Sequence, residues 1–119
     1  MAHGMGDILD RLNRIAGVKG SMVVARDGIV VASDFADEIN EDAVAAVSSS
    51  VLSSLDGALK RMEMGAFKRF VITGSDAKIV LMRGRNTLVL VLLKKDINMG
   101  LIGVEIREAV AEIDERTHF

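Results

Sequence analysis

The run Leu88-Val89-Leu90-Val91-Leu92-Leu93 constrains this chain more than any other segment. A strand sends alternate side chains to opposite faces, so an unbroken apolar run has no face to leave in water. Gly84-Arg85-Asn86 before it and Lys94-Lys95 after it hold it to strand length. The segment therefore reads as a central strand, buried on both sides, and the rest of the chain must supply a cover for each. With 119 residues there is room for one domain.

The covering elements are visible in the spacing. Ile8, Leu9, Leu12 and Ile15 repeat on one helical face, which predicts a helix from about Asp7 to Ala16, with Asp7 as its N-cap and Gly17 and Gly20 at its exit. Met22–Ala25 and Ile29–Ala32 flank Asp27-Gly28, a dipeptide suited to a tight hairpin turn that needs positive φ. Ser33 to Asn40 is polar and reads as a loop. A long helix follows from about Glu41 to Met64, capped by Asn40 and stopped by Gly65. Phe67–Thr73, Lys78–Met82 and Thr87–Leu93 are expected strands, joined by Gly74-Ser75-Asp76 and Gly84-Arg85-Asn86. A last helix spans about Ile97 to Glu115, with Asn98 suited to cap it and Gly100 and Gly103 suited to close packing.

The order α-β-β-α-β-β-β-α with short strand links predicts a five-stranded, mostly antiparallel sheet covered by helices on both faces, an α/β (α+β) fold. The chain has no proline, no repeat and no Ser/Gly-rich linker. It is expected to be one unit over residues 7–115, with a flexible stretch at 1–6 and a short end at 116–119.

Composition narrows the function. With no cysteine, disulfides and thiolate chemistry are excluded. The net charge of −2 supplies no broad basic field for nucleic acid, and aromatics at 3% leave little to stack bases on. Histidine occurs only at positions 3 and 118, so the serines at 48, 49, 50, 53 and 54 have no base at helical spacing. No phosphate-loop or dinucleotide-binding glycine pattern is present. Asp34, Asp37, Glu38, Glu41 and Asp42 read as a solvated loop and helix start rather than a cation site. No stretch is long and apolar enough to span a membrane, and the start lacks a signal-peptide pattern. No catalytic residue, cofactor or metal is expected, and a cytoplasmic location is. Lys60-Arg61, Lys68-Arg69, Arg83, Arg85 and Lys94-Lys95 form a possible anion patch; guarding strand ends is the plainer explanation.

The middle helix carries two faces. Val44, Val47, Val51, Leu52, Leu55, Ala58, Leu59 and Met62 form an apolar stripe expected to be core. Ala43, Ala46, Ser50, Ser53, Ser54, Gly57, Arg61 and Met64 fall largely opposite it. An ordinary exposed face would be rich in Lys and Glu, whereas small residues let another backbone approach. This face is expected to meet a partner.

Taken in order, these pieces resemble the Roadblock domain, the dynein light chain type also found in bacterial and archaeal regulators of Ras-like GTPases. The resemblance rests on Ile8-Leu9-Asp10-Arg11-Leu12 leading to Gly17-Val18-Lys19-Gly20-Ser21, and on the hairpin from Val23 to Ser33. It rests also on the Ala/Ser-rich middle helix, and on Asn98-Met99-Gly100-Leu101 ahead of Glu105-Ile106-Arg107. It covers about residues 7 to 115. It implies a homodimer in which the third strands pair and the middle helices lie side by side, serving as a non-catalytic platform for a small GTPase. Carried onto this chain, it makes Phe67, Arg69, Val71, Thr73, Ser50 and Ser54 interface residues. Ala46, Ser53, Gly57, Arg61 and Met64 become partner-binding residues. The chain departs from members with a long C-terminal tail, since little follows the last helix.

Other readings remain open at this level. A ligand-sensing module of PAS or profilin-like type shares the helix-flanked sheet, though the scarcity of aromatics weighs against a small-molecule pocket. A scaffold subunit without GTPase regulation is another. An enzyme is disfavoured by the missing acid–base and nucleophile sets.

Overall fold

The computed structural model describes residues 5–36 and 38–117; His3, Asp37 and His118 lie outside them. The elements are α1 (Gly6–Asn13), β1 (Val18–Ala25), β2 (Val30–Phe35), α2 (Glu41–Arg61), β3 (Arg69–Thr73), β4 (Ala77–Arg83), β5 (Thr87–Lys94) and α3 (Met99–Arg116). The sheet runs β2-β1-β5-β4-β3, and every pairing is antiparallel. The expected fold class is therefore the observed one.

β5 sits in the centre, and its alternation splits the core in two. Val89, Val91 and Leu93 join Val23, Val80 and Met82 beneath α1 and α3, where Ile8, Leu9, Leu12, Ile102, Ile106 and Ile113 close the layer. Leu88 and Leu90 join Met22, Val24 and Leu81 on the other face, under Ala45 and Leu52 of α2. No helix among the described residues is long and apolar enough to cross a membrane.

The helix caps follow the sequence in two of three cases. The Asn40 side chain accepts from the Ala43 N–H at 3.1 Å, and Asn98 accepts from the N–H groups of Gly100 and Leu101 at 2.9 and 3.4 Å. For α1 the N-cap position is Met5, with no side-chain cap. Asp7 lies inside the first turn instead, and its carboxylate receives two bonds from Arg116, at 2.6 and 2.9 Å. That pair fastens the start of α1 to the end of α3.

Three expectations are corrected. β2 runs on through Ser33, Asp34 and Phe35, because pairing of Ser33 with Met22 and Phe35 with Gly20 continues the ladder despite the polar side chains. A Cβ at Gly20 would collide with the Phe35 ring, so glycine makes room for that pairing. α2 ends at Arg61 rather than Met64; positive φ at Glu63 (57°) and Gly65 (86°) then turns the chain into β3.

The third correction concerns the inward face of α2. Val47 and Met62, expected in the core, are 63% and 65% exposed, whereas Ala45, Ser48 and Leu52 are buried. The cause is close approach of the helix to the β1–β2 turn. The Ser49 hydroxyl donates to the Arg26 carbonyl at 3.2 Å, and a Cβ on Gly28 would lie 3.3 Å from Ser49 Cβ. At that distance the small side chains of Ala45 and Ser48 face the sheet and Val47 is left outside, while Met62 follows the end of α2 and is exposed there.

Candidate functional site

The sheet has two edges, and they differ. β2 carries a register shift opposite Val23/Val24 that leaves Val31 as an extra residue. A bulge of this kind twists an edge strand and blocks regular pairing. Asn13 of α1 also donates to the Asp34 carbonyl of this strand at 2.9 Å. β3 pairs with β4 in unbroken register from Arg69 to Thr73 and carries no such device.

The ladder shows what β3 leaves free. The Arg83 N–H donates to the Lys68 carbonyl, and the Gly74 N–H to the Ala77 carbonyl, at 2.9 and 2.8 Å. Antiparallel bonding alternates residue by residue, so Lys68, Phe70, Ile72 and Gly74 direct their backbone groups at β4. Arg69, Val71 and Thr73 therefore point N–H and C=O outward, a row of donors and acceptors with no partner strand. The side chains alternate as well. Arg69, Val71 and Thr73 lie on the α1/α3 face with Val80 and Met82. Phe70 and Ile72 lie on the α2 face. Ile72 is 40% exposed there.

The residues singled out from the sequence take these positions. Arg69, Val71 and Thr73 are exposed on the open edge, and Phe67 is buried in the α2-side core, its ring 6.4 Å from that of Phe70. Ala46, Ser50, Ser53, Ser54 and Arg61 are exposed along α2, Met64 is exposed just beyond its end, and Gly57 is half-buried, where a Cβ would touch only the Arg61 guanidinium at 4.0 Å. The strand set and the helix set do not merge through their side chains, because Arg69, Val71 and Thr73 face away from α2. What joins the surfaces is the strand backbone and Ile72, absent from the sequence-based set. Its signal was present in the Phe70/Ile72 alternation. Val47 was missed for the opposite reason, having been assigned to the core.

One ion pair holds this region in place. Arg83 at the end of β4 grips Asp56 of α2 through both nitrogens, at 2.9 and 2.8 Å, and Asp56 also accepts from the Phe67 N–H at 3.2 Å. The Arg83 bonds, with help from the Phe67 N–H, hold the Asp56 carboxyl below its ordinary pKa against the opposing cost of burial.

Helices on both faces of a five-stranded antiparallel sheet, with the β3 edge open and regular, define an α/β/α sandwich. The chain belongs to the Roadblock/LC7 family, whose domain model matches residues 5–94. Among curated relatives, an uncharacterized Methanocaldococcus jannaschii protein, MJ0714, is 30% identical over 114 residues, covering 95% of this chain and 97% of its own. Among solved structures, Myxococcus xanthus MglB superposes with a TM-score of 0.88 at 18% identity, covering 93% of this chain and 92% of that one. A Roadblock/LC7 domain from Streptomyces avermitilis gives 0.84 at 20% identity, covering 92% and 93%. At those identities the structural likeness speaks for the fold.

Proposed function

We propose that this protein is a non-catalytic, homodimeric cytoplasmic platform that binds a Ras-like small GTPase and modulates its nucleotide cycle. The observation that carries the dimer is the open β3 edge. A two-fold axis at Val71 would pair Val71 with its twin and Arg69 with Thr73 of the second copy. Each outward N–H would then meet an outward C=O. The same operation brings the twin's α2 toward the exposed Ile72 and Val47. The small residues Ala46, Ser50, Ser53, Ser54 and Gly57 allow helices to come close, and Arg61 offers a fork for an acidic group on the partner.

The GTPase reading draws on family membership and on this low-charge helical face. Two measurements test it. Light scattering after size exclusion should return twice the 12.8 kDa chain mass. A pull-down with a Ras-like GTPase from the same organism should retain the GTPase and favour either its GDP or its GTP-like state. A monomer at micromolar concentration rejects the dimer, and equal failure of both nucleotide states rejects the platform.

A further inference from the structure

A second surface lies on the opposite face from α2, where α3 runs beside β3 and β4. There a cleft of about 470 Å³ opens between Lys68, Arg69, Arg83 and Arg107, floored by Met82 and Val110. Arg69 reaches from β3 toward α3, so that a Cβ on Gly103 would lie 3.6 Å from its Nη1. Arg107 stands one turn further along the same helix. Arg83 is already matched by Asp56. Among the described residues no ion pair or side-chain hydrogen bond engages Lys68, Arg69 or Arg107.

The acidic groups of α3 are turned elsewhere. Glu105, Glu108 and Glu112 border a separate hollow against α1, and Asp114 accepts from the Arg85 N–H. Two uncompensated guanidinium groups, of Arg69 and Arg107, thus border one cleft of a protein whose net charge is −2. Like charges gathered without a counter-ion repel one another, and a bound anion removes that repulsion. Two guanidinium forks suit a doubly charged, oxygen-rich group better than a single carboxylate. The volume exceeds that of one phosphate, and the Met82–Val110 floor suits an organic body beside it.

We propose that this α3/β3–β4 cleft binds a small phosphorylated molecule through Arg69 and Arg107. The site faces away from the α2 platform, so it stands or falls separately from the GTPase reading. The probe is inorganic pyrophosphate, titrated by calorimetry into the full chain at low ionic strength. The expected result is saturable binding, one per chain, with Kd of about 1 mM or tighter. Arg107→Gln should weaken it about tenfold. Lys95→Gln, which removes the same charge at the far end of the sheet, should change it less than about twofold. Arg69→Gln, which keeps the strand backbone, should follow Arg107→Gln. Circular dichroism and mass should stay those of the parent in all three. No saturation by about 10 mM pyrophosphate overturns the proposal, as does equal weakening by Lys95→Gln and Arg107→Gln. Binding to phosphatidic acid vesicles without binding to pyrophosphate overturns it in favour of a lipid surface.

Discussion

Arg83 and Asp56 meet fork to fork, at 2.9 and 2.8 Å, across the junction of β4 and α2. Because Asp56 also takes the Phe67 N–H, a single carboxylate sets both where the sheet ends and where β3 begins. The pair is only partly open to solvent, with side-chain exposures of 20% and 33%.

Asp56→Ala is expected to cost about 1–3 kcal/mol, since it leaves the Arg83 guanidinium and the Phe67 N–H short of an acceptor. Urea denaturation measures it. A double-mutant cycle with Arg83→Met should return a coupling above about 0.5 kcal/mol. A coupling near zero would mean that the fork is surface decoration.

Acid should weaken the fold in a defined window. Arg116 lowers the Asp7 pKa from 3.8 to about 2, and Asp56 is lowered by Arg83. A carboxyl whose folded pKa is depressed stabilises above its unfolded pKa, and that contribution is lost as pH falls through the folded one. Stability should hold from neutrality to about pH 4 and decline toward pH 2. Asp7→Asn with Asp56→Asn should flatten that decline; an unchanged slope would assign the acid sensitivity to other groups.

Proline separates the two sides of β3. Val71→Pro deletes an N–H that points to the open edge, so β4 pairing survives and self-association is lost. Ile72→Pro deletes an N–H bonded to β4 and should lower stability by about 3 kcal/mol or more. Light scattering and thermal melts read the contrast. A Val71→Pro variant that stays dimeric places the dimer contact elsewhere.

Gly57→Arg and Ser53→Arg probe the outer face of α2. A Cβ on Gly57 would touch only the flexible Arg61 side chain, at 4.0 Å, and replacing a mid-helix glycine should raise helix stability by up to about 1 kcal/mol. Circular dichroism should stay native while GTPase affinity or dimer mass falls. Retention of both by both variants would remove this face from the site.

Gly20→Ala is expected to destabilise by about 1–3 kcal/mol, because the new methyl meets the Phe35 ring and lies 3.0 Å from the Phe35 Cα. A neutral result in urea would show that β2 can shift without loss.

The sequence by itself determined the element order, the two Asn caps, the hairpin at Asp27-Gly28 and the central place of β5. Each is a local or periodic signal: a side-chain oxygen reaching N–H groups two or three residues on, a turn that needs positive φ, an apolar run with no polar face. Tertiary structure decided what depends on how closely elements approach. α2 lies near the β1–β2 turn, so Ala45 and Ser48 are buried while Val47 is left outside. No helical wheel contains that distance. β2 reaches Phe35 because Gly20, fifteen residues earlier, leaves space for the ring. The outward backbone of Arg69, Val71 and Thr73 follows from pairing with β4, and the shared cleft of Arg69 and Arg107 follows from packing α3 beside β3. Spacing along one chain orders the residues of a single element, whereas register and packing between elements decide which side chains meet.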